Sequence, residues 1–260
     1  MNVLFIGDIV GKIGRLTVKA LLPGLTQKYK LDFIIANGEN AAGGFGITEK
    51  TATELFDYGV HVITTGNHVW DKKEAVSYIA KEDRILRPLN YPSGVPGSGS
   101  IVFTLPDKKK IAVLNVSGRV FMNVLNCPFR TTLSELERIS AETDIIFVDM
   151  HAEATSEKTA FAYYLDGKVS AVVGTHTHVQ TADEKILPQG TAYITDAGMT
   201  GPQLSVIGIE KDQIIERFLY HMPRKYDVAG GVGLLCGVVI EIDNNSGRAI
   251  AIHRVQITNP

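Results

Sequence analysis

The chain is punctuated by short apolar runs that each stop at a polar residue. Residues 3–6, 32–36, 60–64, 144–148 and 169–173 are dominated by β-formers and show no polar alternation, which reads as strands buried on both faces. Between them, apolar residues recur at helical spacing over 13–29, 48–58, 72–81, 133–141, 155–167 and 211–220, so the runs alternate with surface helices. Pro23 is expected to kink or split the first helix. Thr48 is placed to cap the second, which stops at Gly59, and Thr155 or Ser156 to cap the helix that ends at Gly167. Alternating or apolar pairs over 100–105 with 110–116, 185–187 with 191–195, and 233–242 with 249–256 predict three hairpins. Residues 87–99 are rich in Pro, Gly and Ser and read as a loop within one domain, and 121–130 has no clean period. The expected architecture is a mixed α/β layered domain, whose ligand crevice lies outside the carboxyl ends of its strands.

Composition narrows the class. A chain of 260 residues with 45% hydrophobic content is within reach of one large domain, here 1–260, burying roughly 70–75% of its unfolded surface. The net charge of −2 supplies no basic field for duplex nucleic acid. Cys127 and Cys236 stand far apart and outside any Cys-x-x-Cys, which fits a reducing cytoplasm and gives no thiolate metal site. The first apolar run meets Asp8 at once with no basic segment ahead of it, unlike a secretory signal, and no run has the length of a membrane helix.

The chemistry sits where the runs stop. Their ends carry Asp8, then Glu39 with Asn40, then Asn67 with His68, then His151, then His176 and His178 in Gly-Thr-His-Thr-His. Each alone has an ordinary explanation, since Asp and Asn are common turn formers. Together they place four of the seven histidines within a few residues of strand ends, the pattern of a metal or catalytic site. On an extended backbone His176 and His178 point the same way and can grip a single cation or a pair. Imidazoles with carboxylate and amide oxygens suit iron, manganese or zinc, whereas calcium takes nearly all oxygen. The candidates Asp8, Glu39, Asn40, Asn67, His151, His176 and His178 exceed the needs of one tetrahedral ion. Two ions sharing a carboxylate would use them all, with Glu39 as the bridge. Gly7, Gly11 and Gly14 do not have Gly-x-Gly-x-x-Gly spacing, and Gly11-Lys12 is not followed by Ser or Thr, so neither nucleotide-loop fingerprint is met. An amidohydrolase tends to place its His-x-His pair on the first strand, whereas here the pair comes late.

Gly7-Asp8, Gly38-Glu39-Asn40, Gly66-Asn67-His68, His151 and Gly174-Thr175-His176-Thr177-His178 resemble the ordered blocks of the calcineurin-like metallophosphoesterases. More closely, Gly7 to Gly11, Asn40 to Gly46, His151 to Lys158 and Gly174 to Asp183 resemble the YmdB-like branch, bacterial cytoplasmic cyclic-nucleotide phosphodiesterases. The resemblance implies a layered α-β-β-α sandwich with mixed sheets. It implies one ion held by Asp8, Glu39, Asn40 and His178 and a second by Glu39, Asn67, His151 and His176, with iron or manganese ahead of zinc. Val10 stands where the wider superfamily has a histidine ligand, and Asn40 takes that place in the branch. The implied activity is dinuclear hydrolysis of small phosphodiesters, 2′,3′-cyclic nucleotides first, by a hydroxide held between the ions. His68, left unliganded, is the general acid, and no separate organic cofactor is implied. A cytoplasmic homo-oligomer is implied as well. The rival is a non-enzymatic regulator that keeps the metal fold to bind a nucleotide or protein partner. Gly43-Gly44-Phe45-Gly46 could bring N–H groups to a phosphate or simply turn, and Phe45 and Trp70 are the aromatics that could stack on a base or pack the fold.

Overall fold

A computed structural model describes residues 1–223 and 225–259. The first half runs β1 (Asn2–Ile6), β2 (Asp8–Ile9), α1 (Gly11–Tyr29), β3 (Phe33–Asn37), α2 (Glu49–Asp57), β4 (Val62–Thr64), α3 (Lys73–Ile79), β5 (Ile85–Leu86), β6 (Ser100–Thr104) and β7 (Lys110–Ser117). The second half runs α4 (Pro128–Ile139), β8 (Ile146–His151), α5 (Thr155–Leu165), β9 (Ala171–Thr175), β10 (Lys185–Ile186), β11 (Ala192–Ile194), β12 (Met199–Pro202), α6 (Lys211–Tyr220), β13 (Gly233–Ile242) and β14 (Ala249–Asn259).

The continuous apolar runs become central strands. In one sheet β1, β3, β4 and β5 are parallel, and β13 joins β1 antiparallel, with β12 and β14 also pairing β13. In the other, β7, β8, β9 and β11 are parallel and the edges β6 and β10 are antiparallel. Both sheets are therefore mixed. Between them lies one core in which Val3, Phe5, Phe33, Ile35 and Val62 meet Val113, Phe147, Val173 and Ile194. Phe5 and Phe147 stack across it at 5.4 Å, a contact worth about 0.5–1.5 kcal/mol beyond the area it buries. A second core packs Val18 and Leu22 of α1, Leu55 of α2 and Ile79 of α3 on the outer face of the first sheet. The third packs Leu136 and Ile139 of α4 and Phe161 and Leu165 of α5 on the outer face of the second. Helices, sheet, sheet and helices form four layers.

Several local expectations shift. Helix α1 runs unbroken through Pro23, because Pro23 and Lys19, whose carbonyl it leaves unbonded, both lie on the exposed side, where water can satisfy that carbonyl. Thr48 caps α2 with a reciprocal bond to Thr51, as expected. Helix α5 is capped at Ala154 with no side-chain bond, and Thr155 is its first helical residue. Helix α4 begins at Pro128, inside the stretch read as irregular, since proline suits a first helical position. All three hairpins form. The parallel pair of β2 with β12 was not visible in sequence, being too short to carry a period. Among the described residues no helix is long and apolar enough to cross a membrane.

Candidate metal centre

The loaded strand ends converge on one rim. Asp8 follows β1, Glu39 and Asn40 follow β3, Asn67 and His68 follow β4, His151 closes β8, and His176 and His178 follow β9. Side-chain ligand atoms of Glu39, His151 and His176 all lie within 4.8 Å of one another, and so do those of Asp8, Glu39 and His178. Glu39 is common to both groups. Its Oε1 is 3.2 Å from His151 Nε2 and accepts from Asn40 Nδ2, while its Oε2 accepts from the His68 backbone N–H.

Around His151 Nε2 the lone pairs are crowded. Asn67 Oδ1 at 2.9 Å, His176 Nδ1 at 3.1 Å and Glu39 Oε1 at 3.2 Å all face it. One hydrogen on that nitrogen can satisfy only one of them. Nearby, Asp8 Oδ1 and Asn40 Oδ1 are buried with no hydrogen-bond partner, and Asp8 Oδ1 stands 3.8 Å from His178 Nε2. Buried acceptors left unsatisfied cost about 1–3 kcal/mol each. A pair of cations would satisfy them all, so the residues present fit the metals that the donor set suggests.

Electrostatics agree with that deficit of positive charge. Burial raises the Asp8 pKa, and His178 and His151 offset only part of it. Burial also works to raise Glu39, but the charge of His151 and the hydrogen bond to it prevail and hold it at about 2. Burial works to lower His151, yet Glu39 and Asp8 push it to about 9. His176, buried and beside His151, falls to about 3.

The pair His176 and His178 departs from the extended geometry that its spacing suggested. Strand β9 ends at Thr175, and both histidines adopt left-handed backbone, with φ of 98° and 67°. They consequently serve different groups, His176 facing His151 and His178 facing Asp8 and Asn40. The conformation is held from outside. Thr177, between them, donates from its backbone N–H (3.1 Å) and its hydroxyl (2.8 Å) to Asp196 Oδ2, and Lys158 Nζ donates to the same oxygen at 2.8 Å. His178 Nδ1 donates to the Ile207 carbonyl at 2.9 Å, which leaves Nε2 with its lone pair toward the cluster.

Other supports were also missed in sequence. Asp149, buried, accepts from Thr64, Asn37 and Thr175, and Thr175 in turn reaches His151 Nδ1 at 2.9 Å. Burial lifts the Asp149 pKa to about 7. Glu153 Oε2 lies 3.3 Å from His176 Nε2, and Asp71 Oδ2 lies 2.7 Å from His68 Nδ1. Asp71 had a local cue, three residues after His68, and Glu153 and Thr175 lie inside the family-like blocks, but nothing in sequence gave their contacts. Gly66 is required sterically, since a Cβ there would overlap His151 Nε2 and Glu39 Oε2. In the glycine loop, Gly44 N–H is already bonded to the Asn40 carbonyl and Ala42 N–H to the Gly46 carbonyl, so those two amides are engaged within the turn. Trp70 packs on Tyr91, whereas Phe45 lines the cavity with His68.

The profile of the YmdB-like protein family matches residues 4–255. The chain belongs to the YmdB-like family. Similar to this YmdB-like chain along its whole length is a 2′,3′-cyclic-nucleotide 2′-phosphodiesterase of Bacillus subtilis (strain 168), 49% identical over 259 residues that cover 100% of this chain and 98% of the relative. Among solved structures, a hypothetical protein from Thermus thermophilus superposes with a TM-score of 0.93 at 42% identity, covering 100% of both chains. A Mycoplasma pneumoniae protein described as a novel phosphatase superposes equally, with a TM-score of 0.93 at 36% identity over 99% of this chain and 93% of that one. The YmdB-like assignment thus extends over all the strand ends that carry the cluster.

Proposed function

We propose that this chain is a metal-dependent phosphodiesterase that hydrolyses small phosphodiesters, above all 2′,3′-cyclic nucleotides. The observation that carries the reading is the crowd of acceptors at His151 Nε2 beside the unsatisfied Asp8 Oδ1 and Asn40 Oδ1. The 49% identity to a cyclic-nucleotide phosphodiesterase supports the substrate class. In this reading Asp8, Glu39, Asn40 and His178 hold one ion and Glu39, Asn67, His151 and His176 the other, with iron or manganese preferred over zinc. The four layers then form a single calcineurin-like metallophosphoesterase domain over 1–260. It works in the cytoplasm as a homo-oligomer, for which exposed Phe218, Leu219 and Tyr220 of α6 offer apolar area. The cavity over the cluster is about 300 Å³, at the small end for ligand pockets and suited to a mononucleotide rather than a duplex.

Bound there, the metal pair supplies a nucleophile at neutral pH and neutralises charge on the phosphoryl oxygens. The protein's own residues do the rest. Glu39 is shared between both groups, so its carboxylate fixes their separation. Asp149, through Thr175, and the Ile207 carbonyl orient His151 and His178. His68 gives its proton to the departing ribose oxygen as the phosphorus–oxygen bond breaks. Asp71 accepts from His68 Nδ1, which fixes the ring and leaves Nε2 for that transfer. General acids contribute about 10²–10⁴-fold.

His68→Ala is therefore expected to lower turnover of 2′,3′-cyclic AMP by about 10²–10⁴-fold. Turnover of bis(p-nitrophenyl) phosphate, whose leaving group needs no proton, should fall far less, and metal content should not change. Steady-state kinetics on both substrates check this. Equal losses on the two, or none, remove His68 from the acid's role.

A further inference from the structure

We propose that Phe45 and Ile207 form the seat of the substrate's nucleobase, a reading that rests on the phosphodiesterase assignment above. The cavity over the cluster has a polar floor of Glu39, Asn40, His176 and His178, and its remaining lining includes the apolar side chains Val10, Phe45, Ile207 and Ile209. In a 2′,3′-cyclic nucleotide the leaving oxygen belongs to the ribose, so the nucleoside must lie on the side of the group that protonates it. Phe45 begins the wall on that side. Its ring packs edge-on against the His68 ring, with centroids 5.2 Å apart. Gly44 and Gly46 on either side have φ of 97° and 74°, turning the chain so that the ring is presented to the cavity. The other aromatic that could have served, Trp70, is packed on Tyr91.

Ile207 is the more telling residue. It is β-branched, yet its φ is 46°, a conformation that such a residue avoids and that is retained mainly at functional sites. Its carbonyl holds His178, but a backbone carbonyl needs no side chain. Glycine would adopt the turn without strain, as Gly208 next to it does at φ of 103°. The side chain is 51% exposed, so core packing does not explain it either. What remains is its place on the cavity wall. An apolar wall reads the face of a base and not its edges, so purines and pyrimidines should both be accepted, purines more tightly through their larger area.

The test compares kcat/KM for 2′,3′-cyclic AMP with that for glycerol 1,2-cyclic phosphate, which carries no base, in Phe45→Ala, Phe45→Tyr and Ile207→Gly. Stacking of a base is worth about 1–3 kcal/mol, and 1.4 kcal/mol is tenfold. The ratio of the two should fall about tenfold in Phe45→Ala and in Ile207→Gly, chiefly through KM for the nucleotide, and hold in Phe45→Tyr. Ile207→Gly should also melt no lower than the parent, because it relieves the left-handed strain. Stability and base preference then move apart, which a structural role would not produce. An unchanged ratio in Phe45→Ala and Ile207→Gly, with cyclic AMP still turned over, overturns the base seat alone. So does an Ile207→Gly protein that loses its melting temperature together with the ratio. Failure of the parent to hydrolyse either diester overturns the phosphodiesterase reading itself.

Discussion

Glu39→Ala is expected to lower kcat/KM for cyclic nucleotides by about 10³-fold or more and to strip the protein of both metals. The carboxylate belongs to both ligand groups, Glu39 with His151 and His176 and Glu39 with Asp8 and His178, so one substitution takes an oxygen from each. Metal stabilisation of developing charge is worth several kcal/mol, and each 1.36 kcal/mol is tenfold in rate. Asp8→Ala provides the contrast, since it touches only the group that contains His178 and should leave the other site partly filled. Metal content and kinetics measured on both variants check the expectation, with circular dichroism to show that they fold. If Glu39→Ala keeps its metals and its rate, Glu39 is not shared.

The second large effect concerns stability. Lys158→Met should cost about 3–5 kcal/mol, the usual consequence of stranding one charge of a buried pair. Lys158 and Asp196 are both fully buried and their charged atoms are 2.8 Å apart. The released Asp196 also anchors Thr177 and the Gly198 N–H. Thr177 sits between two histidines in left-handed backbone, each such conformation costing about 1–3 kcal/mol unless its surroundings impose it. Loosening it should shift both rings, and a displacement of about 1 Å can cost 10²-fold in rate. The expected result is therefore a lower urea midpoint together with a lower kcat. A midpoint that does not move would show that the pair contributes nothing net.

The two effects also mark what could be seen in sequence. The sheets were legible because the strands are central and buried on both faces, so their apolar runs are unbroken, and the clustered polar residues were legible because those runs stop at them. Asp8, Glu39, Asn67, His151 and His178 could be gathered before any coordinates because parallel strands open their carboxyl ends on one side. The path of the His-Thr-His segment could not. Its left-handed turn depends on Asp196, which lies further along the chain and reads as an ordinary acid after β11. The enclosure of Lys158 on α5 could not be read either, since nothing local indicates that its amine is buried against Asp196. Ile207 carried no signal at all, because its contribution to His178 is a backbone carbonyl. The pairing of β2 with β12 was invisible for a related reason: strands as short as these have too few residues to display alternation.

The measurement that bears most directly on the metal centre is elemental analysis of the full chain purified without chelator, followed by chelation and reconstitution. It should find about two equivalents of transition metal per chain, iron or manganese before zinc. Removing them should abolish hydrolysis of 2′,3′-cyclic AMP, and adding them back should restore it. Protein that remains fully active after its metal has been removed would contradict the account.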